Sequence, residues 1–234
     1  MSGKNVKKVS LVPIIELDIE TQMKARDIRN EEEVRKWMYT DHVIGTNEHL
    51  GWIDSLRTDK RQLVFMVLDE LDNPLGTVYA NFIDLSHKKA DWSYWLTKDA
   101  HGGLGSVIEY KFINFVFDIL GLEKLNCEVI EGNDAVVKLH KKFLFEEEGF
   151  RRSNILKDGK RIGVHFLGLT KQDWEEGKDE LSNKYEKIFS KFSVTIECKN
   201  EPEPEKNPVN TTAASDSNFH TSTKSTSKIP NLTL

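Results

Sequence analysis

The chain has 234 residues, 38% of them hydrophobic and 9% aromatic, and carries a formal net charge of −5. This composition predicts a soluble globular protein, and the mild acidity removes any bulk electrostatic case for binding nucleic acid. No apolar run of about 18 residues predicts a membrane span, and the start Met1-Ser2-Gly3-Lys4-Asn5 lacks the apolar core of a secretory signal.

In chain order, Val9–Ile19 reads as a first strand, followed by helical segments over Thr21–Arg29 and Glu31–Tyr39 and a short helix over Asn47–Leu56. Gln62–Leu68 and Gly76–Leu85 read as strands joined by the turn signal Asp72-Asn73-Pro74. With the aromatic strand Ala90–Leu96 they predict an antiparallel meander, because the connections are too short for crossovers. A long helix starts at Leu104, where Val107, Ile108, Phe112, Phe115 and Ile119 fall at helical spacing. Then come a strand over Lys124–Ile130, a helix over Asp134–Lys142, strands over Glu146–Leu156 and Arg161–Leu169 around the hairpin signal Asp158-Gly159, and a helix from Lys171. The expected architecture is an α/β domain with a mixed central sheet of about seven strands flanked by helices.

We place that domain at residues 1–195 and a tail at 196–234. Four of the six prolines lie in the tail among many Ser, Thr and Asn residues, too little apolar area to offset ordering entropy, so disorder is expected. Cys127 reads as a small buried hydrophobe. With Cys198 far away in sequence, neither a disulfide framework nor a metal site is expected, and a reducing cytoplasm fits.

Between the aromatic strand and the long helix lies Ala100-His101-Gly102-Gly103-Leu104-Gly105-Ser106. Glycines there let backbone N–H groups approach a phosphate at the positive end of the helix, the geometry needed for a phosphorylated cofactor. An ordinary tight turn is equally compatible with the triplet alone.

The order of elements around this loop, with Glu131-Gly132-Asn133, Leu139-His140-Lys141-Lys142 and a strand near Phe145, resembles the GNAT superfamily of acetyl-CoA-dependent N-acetyltransferases. Its coenzyme loop is written Arg/Gln-x-x-Gly-x-Gly/Ala. Gly103 and Gly105 fit the final glycines, and Ala100 stands at the Arg/Gln position. Within the superfamily, Arg29-Asn30, Arg35-Lys36-Trp37-Met38-Tyr39 and His49-Leu50-x-Trp52-Ile53-x-x-Leu56 resemble one branch. That branch acetylates the 4-amino group of a UDP-linked 4-amino-4,6-dideoxy sugar in pseudaminic acid biosynthesis, which supplies a flagellin glycan. The likeness spans residues 8–175. The branch that acetylates ribosomal protein N-termini shares the Arg-Asn…Trp-Met pattern.

The resemblance implies acetyl-CoA as co-substrate, without a metal. It implies coenzyme contacts from Trp95, Leu96, Thr97, His101, Gly102, Gly103, Leu104, Gly105, Ser106, Asn133 and Lys142. It also implies a UDP-amino sugar with Arg29 near its phosphates and Met38 and His49 sandwiching its base, and a homodimer as in many relatives. Guanidinium suits a diphosphate, and thioether and imidazole stack on flat rings. A surface Arg, a core Met and a surface His are the plain alternatives.

Amine acetylation by direct attack on the thioester has three tasks: to deliver a neutral amine, to stabilise an oxyanion and to release a thiolate. A carboxylate in a central strand is costly to desolvate, which makes Glu128 the candidate general base, acting through a water, unless it pairs with a nearby Lys. A backbone N–H near Trp95–Thr97 is the expected oxyanion donor, where the family's fourth strand splays open. His140 stands where the family commonly has a Tyr acid. An imidazolium can protonate a thiolate, although the residue also fits an apolar helical stripe with Val136, Leu139 and Phe143. Asn133 serves either as N-cap or as a pantetheine contact. Competing functions are acetylation of a protein N-terminus, acetylation of a polyamine drawn to Glu31-Glu32-Glu33, and acyl-CoA binding without catalysis.

Overall fold

Pro13 removes a backbone donor and closes the first strand early. In the computed structural model, which describes residues 6–198 except Asp41, Asp99 and His101, β1 spans Lys7–Pro13 and a 3-10 turn spans Ile14–Glu16. Asp18 then caps α1 (Ile19–Asn30), its carboxylate accepting from the Thr21 N–H at 2.8 Å. The strand expected over Val9–Ile19 is shortened accordingly. The helix expected over Glu31–Tyr39 is also cut, to the single turn α2 (Glu32–Arg35). The cause is Lys157: its ammonium donates to the carbonyls of Arg35 at 3.2 Å and Met38 at 2.8 Å, the acceptors that a continuing helix would use.

After α3 (Thr46–Leu56), strands β2 (Leu63–Asp69), β3 (Pro74–Asp84) and β4 (Lys89–Leu96) form the expected meander. Next come α4 (Leu104–Asn114), ending in a π-helical turn over Phe115–Ile119, β5 (Lys124–Ile130) and α5 (Asp134–Lys142). The chain continues through β6 (Glu146–Lys157), β7 (Lys160–Thr170) and α6 (Lys171–Phe189). An unexpected strand, β8 (Phe192–Ile196), lies parallel to β1, so the boundary placed at 195/196 cuts through its last pair of residues. The tail from residue 199 lies outside the described residues.

The sheet is mixed, with eight strands in the order β6-β7-β5-β4-β3-β2-β1-β8. One face is covered by α1 and α3 over Ile14, Ala25, Ile53, Val64 and Met66. The other carries an aromatic core in which Trp92 stacks on Phe112 at 5.9 Å and Phe65 meets Phe112 edge-on at 6.0 Å. Each such fully buried side chain contributes roughly 1.5–3 kcal/mol of burial energy. The edge strand β6 is exposed along most of its length, and register shifts at Glu147/Gly149 and Arg151/Ile155 bend it away from edge-to-edge pairing. Among the described residues, no helix is long and apolar enough to cross a membrane.

One feature of the sheet positions everything that follows. Parallel pairing of β4 with β5 ends at Asp91↔Asn126, while β4 stays on β3 as far as Gly76↔Leu96. The two central strands therefore part into a wedge bounded by Trp92–Leu96 and Cys127–Ile130.

Candidate active site

The wedge opens onto backbone donors from β4. The Thr97 N–H is occupied by the Leu75 carbonyl at 2.8 Å. Antiparallel alternation then turns the N–H groups of Trp95 and Ser93 toward β3 and those of Leu96 and Tyr94 toward the wedge. Of the three residues expected to supply an oxyanion donor, only Leu96 keeps its N–H on the open side. Gly76 lets β3 come this close: a Cβ there would lie 2.1 Å from the Trp95 carbonyl oxygen.

The glycine loop follows directly. Gly102 and Gly103 take φ of +77° and +95°, and Gly103 is the residue from which α4 starts. The unpaired N–H groups of the first turn, from Leu104, Gly105 and Ser106, point out of the helix end, with the positive end of the dipole behind them. Leu104's side chain is buried, so only its backbone is on offer. The Thr97 hydroxyl oxygen is buried without a partner beside this loop. An orphan donor, a left-handed glycine pair and a helix start fit a phosphorylated coenzyme with a hydrogen-bonding arm. Asn133 precedes α5 but makes no side-chain cap bond, so the N-cap alternative is not realised, while Lys142 is exposed at the far end of that helix. His101 lies outside the described residues.

Glu128 faces the wedge from β5, but the burial expected of it is absent: the residue is exposed, and its carboxylate accepts from the Tyr39 hydroxyl. Burial, with Glu128 adding to it, pushes the Tyr39 phenol well above its usual value, so the phenol stays a donor. Tyr39 was not among the expected site residues. It reaches β5 only because α2 stops short.

His140 is corrected more strongly. It is 4% exposed and turned into the core, where Nδ1 meets the Glu109 carboxylate at 2.7 Å and the ring packs on Trp92, Tyr94 and Phe145. Burial alone would lower its pKa, but Glu109, with Cys127 adding, lifts it to about 10. Glu109 itself is 0% exposed, its second oxygen has no partner, and burial raises its pKa against the pull of His140. Nothing in the sequence marked Glu109, which sits on the buried side of α4 next to Ile108 and Phe112. Cys127 is buried in the same cluster, as expected for a small hydrophobe.

On the α1/α3 face, a cavity of about 400 Å³ runs along β3 and β4, lined by Arg29, Met38, Tyr79, Trp95 and the rim residues Arg61 and Phe82. A second, of about 250 Å³, is lined by His49, Trp52, Glu48 and again Arg29, Tyr79 and Trp95. Arg29 thus stands in the wall common to both. One of its guanidinium nitrogens donates to Thr40, and the other, Nη1, is buried without a partner. Met38 and His49 do not face each other across one slot, because they line different cavities. His49 is 4% exposed, its Nε2 meets the Gln22 carbonyl at 2.8 Å, and burial lowers its pKa. Among the described residues, no cluster of His, Cys, Asp or Glu could hold a metal ion.

A family model described as an acetyltransferase (GNAT) domain matches residues 8–146. Among curated proteins, the chain is 28% identical over 148 residues to the "Uncharacterized N-acetyltransferase p20" of Bacillus licheniformis, covering 61% of this chain and 83% of that one. It is 24% identical over 132 residues to the prophage-derived N-acetyltransferase YokL of Bacillus subtilis, covering 55% and 73%. Among solved structures, the fold is similar to a spermidine N-acetyltransferase from Vibrio cholerae in complex with CoA and spermine. There the TM-score is 0.66 at 18% identity, over 71% of this chain and 98% of that one.

Proposed function

The chain belongs to the acetyltransferase (GNAT) domain family and is an acetyl-CoA-dependent N-acetyltransferase; we propose that its acceptor is the 4-amino group of a UDP-linked 4-amino-4,6-dideoxy sugar, as in pseudaminic acid biosynthesis. The observation that carries this reading is Arg29 Nη1, buried without a partner in the wall shared by both cavities. A buried, unsatisfied guanidinium donor is costly unless a ligand completes it, and a diphosphate oxygen does so with a charge-assisted hydrogen bond.

In this reading the coenzyme's pyrophosphate sits on the N–H groups of Gly103–Ser106, and its pantetheine arm enters the wedge between β4 and β5. The acetyl carbonyl then lies near the Leu96 N–H, which is fixed before charge develops on the oxygen. Glu128, oriented by Tyr39, takes the ammonium proton through a water, and the free amine attacks the thioester carbon. Collapse of the tetrahedral adduct expels the CoA thiolate, whose thiol pKa of about 8.5 makes it a stable leaving group. His140, enclosed with Glu109, acts as packing beneath Tyr94 rather than as the proton donor.

The names of the solved neighbours bring a polyamine acceptor into view as the second reading. Charge in the cavities speaks against it. The larger cavity sets Arg29 and Arg61 against Asp59 alone, and the Glu31-Glu32-Glu33 run is exposed on the surface, with Glu33 paired to Lys36. Incubation of the purified protein with acetyl-CoA and the UDP-4-amino sugar, followed by mass spectrometry, tests the proposal. It predicts a sugar nucleotide heavier by one acetyl group, and an unmodified sugar nucleotide beside acetylated spermidine or peptide would refute it.

A further inference from the structure

Strand β3 breaks its own alternation at one place, and the break delivers an aromatic ring to the cavity. Val78 and Ala80 point into the core, and Tyr79 and Asn81 face the cavity, so residue 82 should point back into the core. It does not. The register between β3 and β4 shifts between Asn81 and Asp84, Phe82 adopts φ of +50°, and Ile83 takes the core position at 4% exposure. Phe82 is left 67% exposed on the cavity rim.

Both halves of this arrangement are unfavourable for stability alone. A bulky side chain at positive φ is strained, and an exposed phenyl ring forgoes burial. The bulge is nevertheless secured. The Ile83 N–H donates to the Arg61 carbonyl at 3.0 Å, and the Arg61 N–H donates to Asp59 at 3.0 Å, tying the loop before β2 to the bulge. The same tie sets Arg61 and the amides of Gln62 and Asn81 around the ring in the cavity wall. β-bulges recur beside active sites, where they re-aim one side chain.

The geometry points to Phe82 as the stacking platform for the planar base of the acceptor nucleotide, with Arg61 beside it as a second cation for the diphosphate; this rests on the nucleotide-sugar reading above. The subsite also replaces the Met38/His49 sandwich, whose members line separate cavities. It belongs to the acceptor rather than the coenzyme. Phe82 lies six residues along β3 from Gly76, roughly 20 Å from the strand end that carries the glycine loop.

The test uses the full-length protein and UDP as the binding probe. Phe82→Gly removes the ring and relieves the positive φ, so its melting temperature should match or exceed that of the wild type. Calorimetry should show UDP binding weakened about tenfold. The KM for the UDP-amino sugar should rise by a similar factor while the KM for acetyl-CoA is unchanged, and Phe82→Trp should retain binding. Wild-type turnover of the UDP-amino sugar with unchanged UDP binding in Phe82→Gly overturns the platform and leaves the acceptor reading standing. So does a rise in the KM for acetyl-CoA alone. A wild type that neither binds UDP nor acetylates the sugar overturns both.

Discussion

The Tyr39 hydroxyl donates to the Glu128 carboxylate, joining the segment after α1 to the mouth of the β4/β5 wedge across 89 positions of sequence. The contact exists because Lys157 grips the Met38 carbonyl and stops α2 before Tyr39 is wound into a helix. If Glu128 is the base and Tyr39 orients it, the two substitutions should differ in kind. Glu128→Gln should lower kcat by about a hundredfold or more, the usual contribution of general base catalysis. Tyr39→Phe should lower it only about tenfold, with little change in either KM. Steady-state kinetics at neutral pH check both, and an unchanged kcat in Glu128→Gln would remove it as the base.

Arg29→Gln should raise the KM for the acceptor roughly 10- to 100-fold, as expected for loss of a charged hydrogen-bond pair. The KM for acetyl-CoA should stay put, because Arg29 lines only the acceptor cavities. Arg29→Lys should restore little, since a point charge does not reproduce the planar fork. Equal effects on both substrates would point to general damage instead.

Gly103 has two duties, and a double variant separates them. Its φ is +95°, and an added Cβ would meet Ile188 Cγ2 at 2.6 Å. Gly103→Ala should therefore cost about 1–3 kcal/mol of stability and raise the KM for acetyl-CoA. Adding Ile188→Ala relieves the clash, so part of the stability should return while the raised KM remains. Ala100→Arg should change neither, because the backbone does the holding. Melting curves and coenzyme titrations are the readouts.

The buried Glu109–His140 pair makes stability depend on alkaline pH. His140 is lifted to about 10 from its ordinary 6.5, so its proton is held more tightly in the folded state. The stability it contributes is complete below 6.5 and is lost as the pH climbs toward 10. The raised Glu109 has the same sign, favouring the protonated folded state. Thermal melts from pH 6 to pH 10 should fall more steeply for the wild type than for a Glu109→Gln/His140→Gln variant. Parallel curves would refute the linkage.

Much of the element order is legible in the sequence because periodicity switches cleanly between strands and helices, as in Ala90–Leu96 against Leu104–Phe115. β8 was missed although Phe192-Ser193-Val194-Thr195-Ile196 alternates. It has no flanking turn signal, and its reason to form, parallel pairing with β1, is a contact across the whole domain. The glycine loop was readable because a left-handed turn needs glycine. Phe82 was not, because alternation predicts the core for it and only the bulge, set by Arg61 and Asp91 in other elements, reverses that. Glu109 and Tyr39 stayed hidden for the same reason: their partners His140 and Glu128 are distant in sequence. The expected burial of Glu128 failed because the strands part just beside it and admit water.

The most direct measurement is acetyl-CoA turnover, followed by release of the CoA thiol, with the UDP-4-amino-4,6-dideoxy sugar, spermidine and a peptide amine as rival acceptors. A kcat/KM for the sugar nucleotide at least a hundredfold above the other two, reduced selectively by Arg29→Gln, is the predicted result. A kcat/KM for spermidine or the peptide equal to or above that for the sugar nucleotide would contradict it.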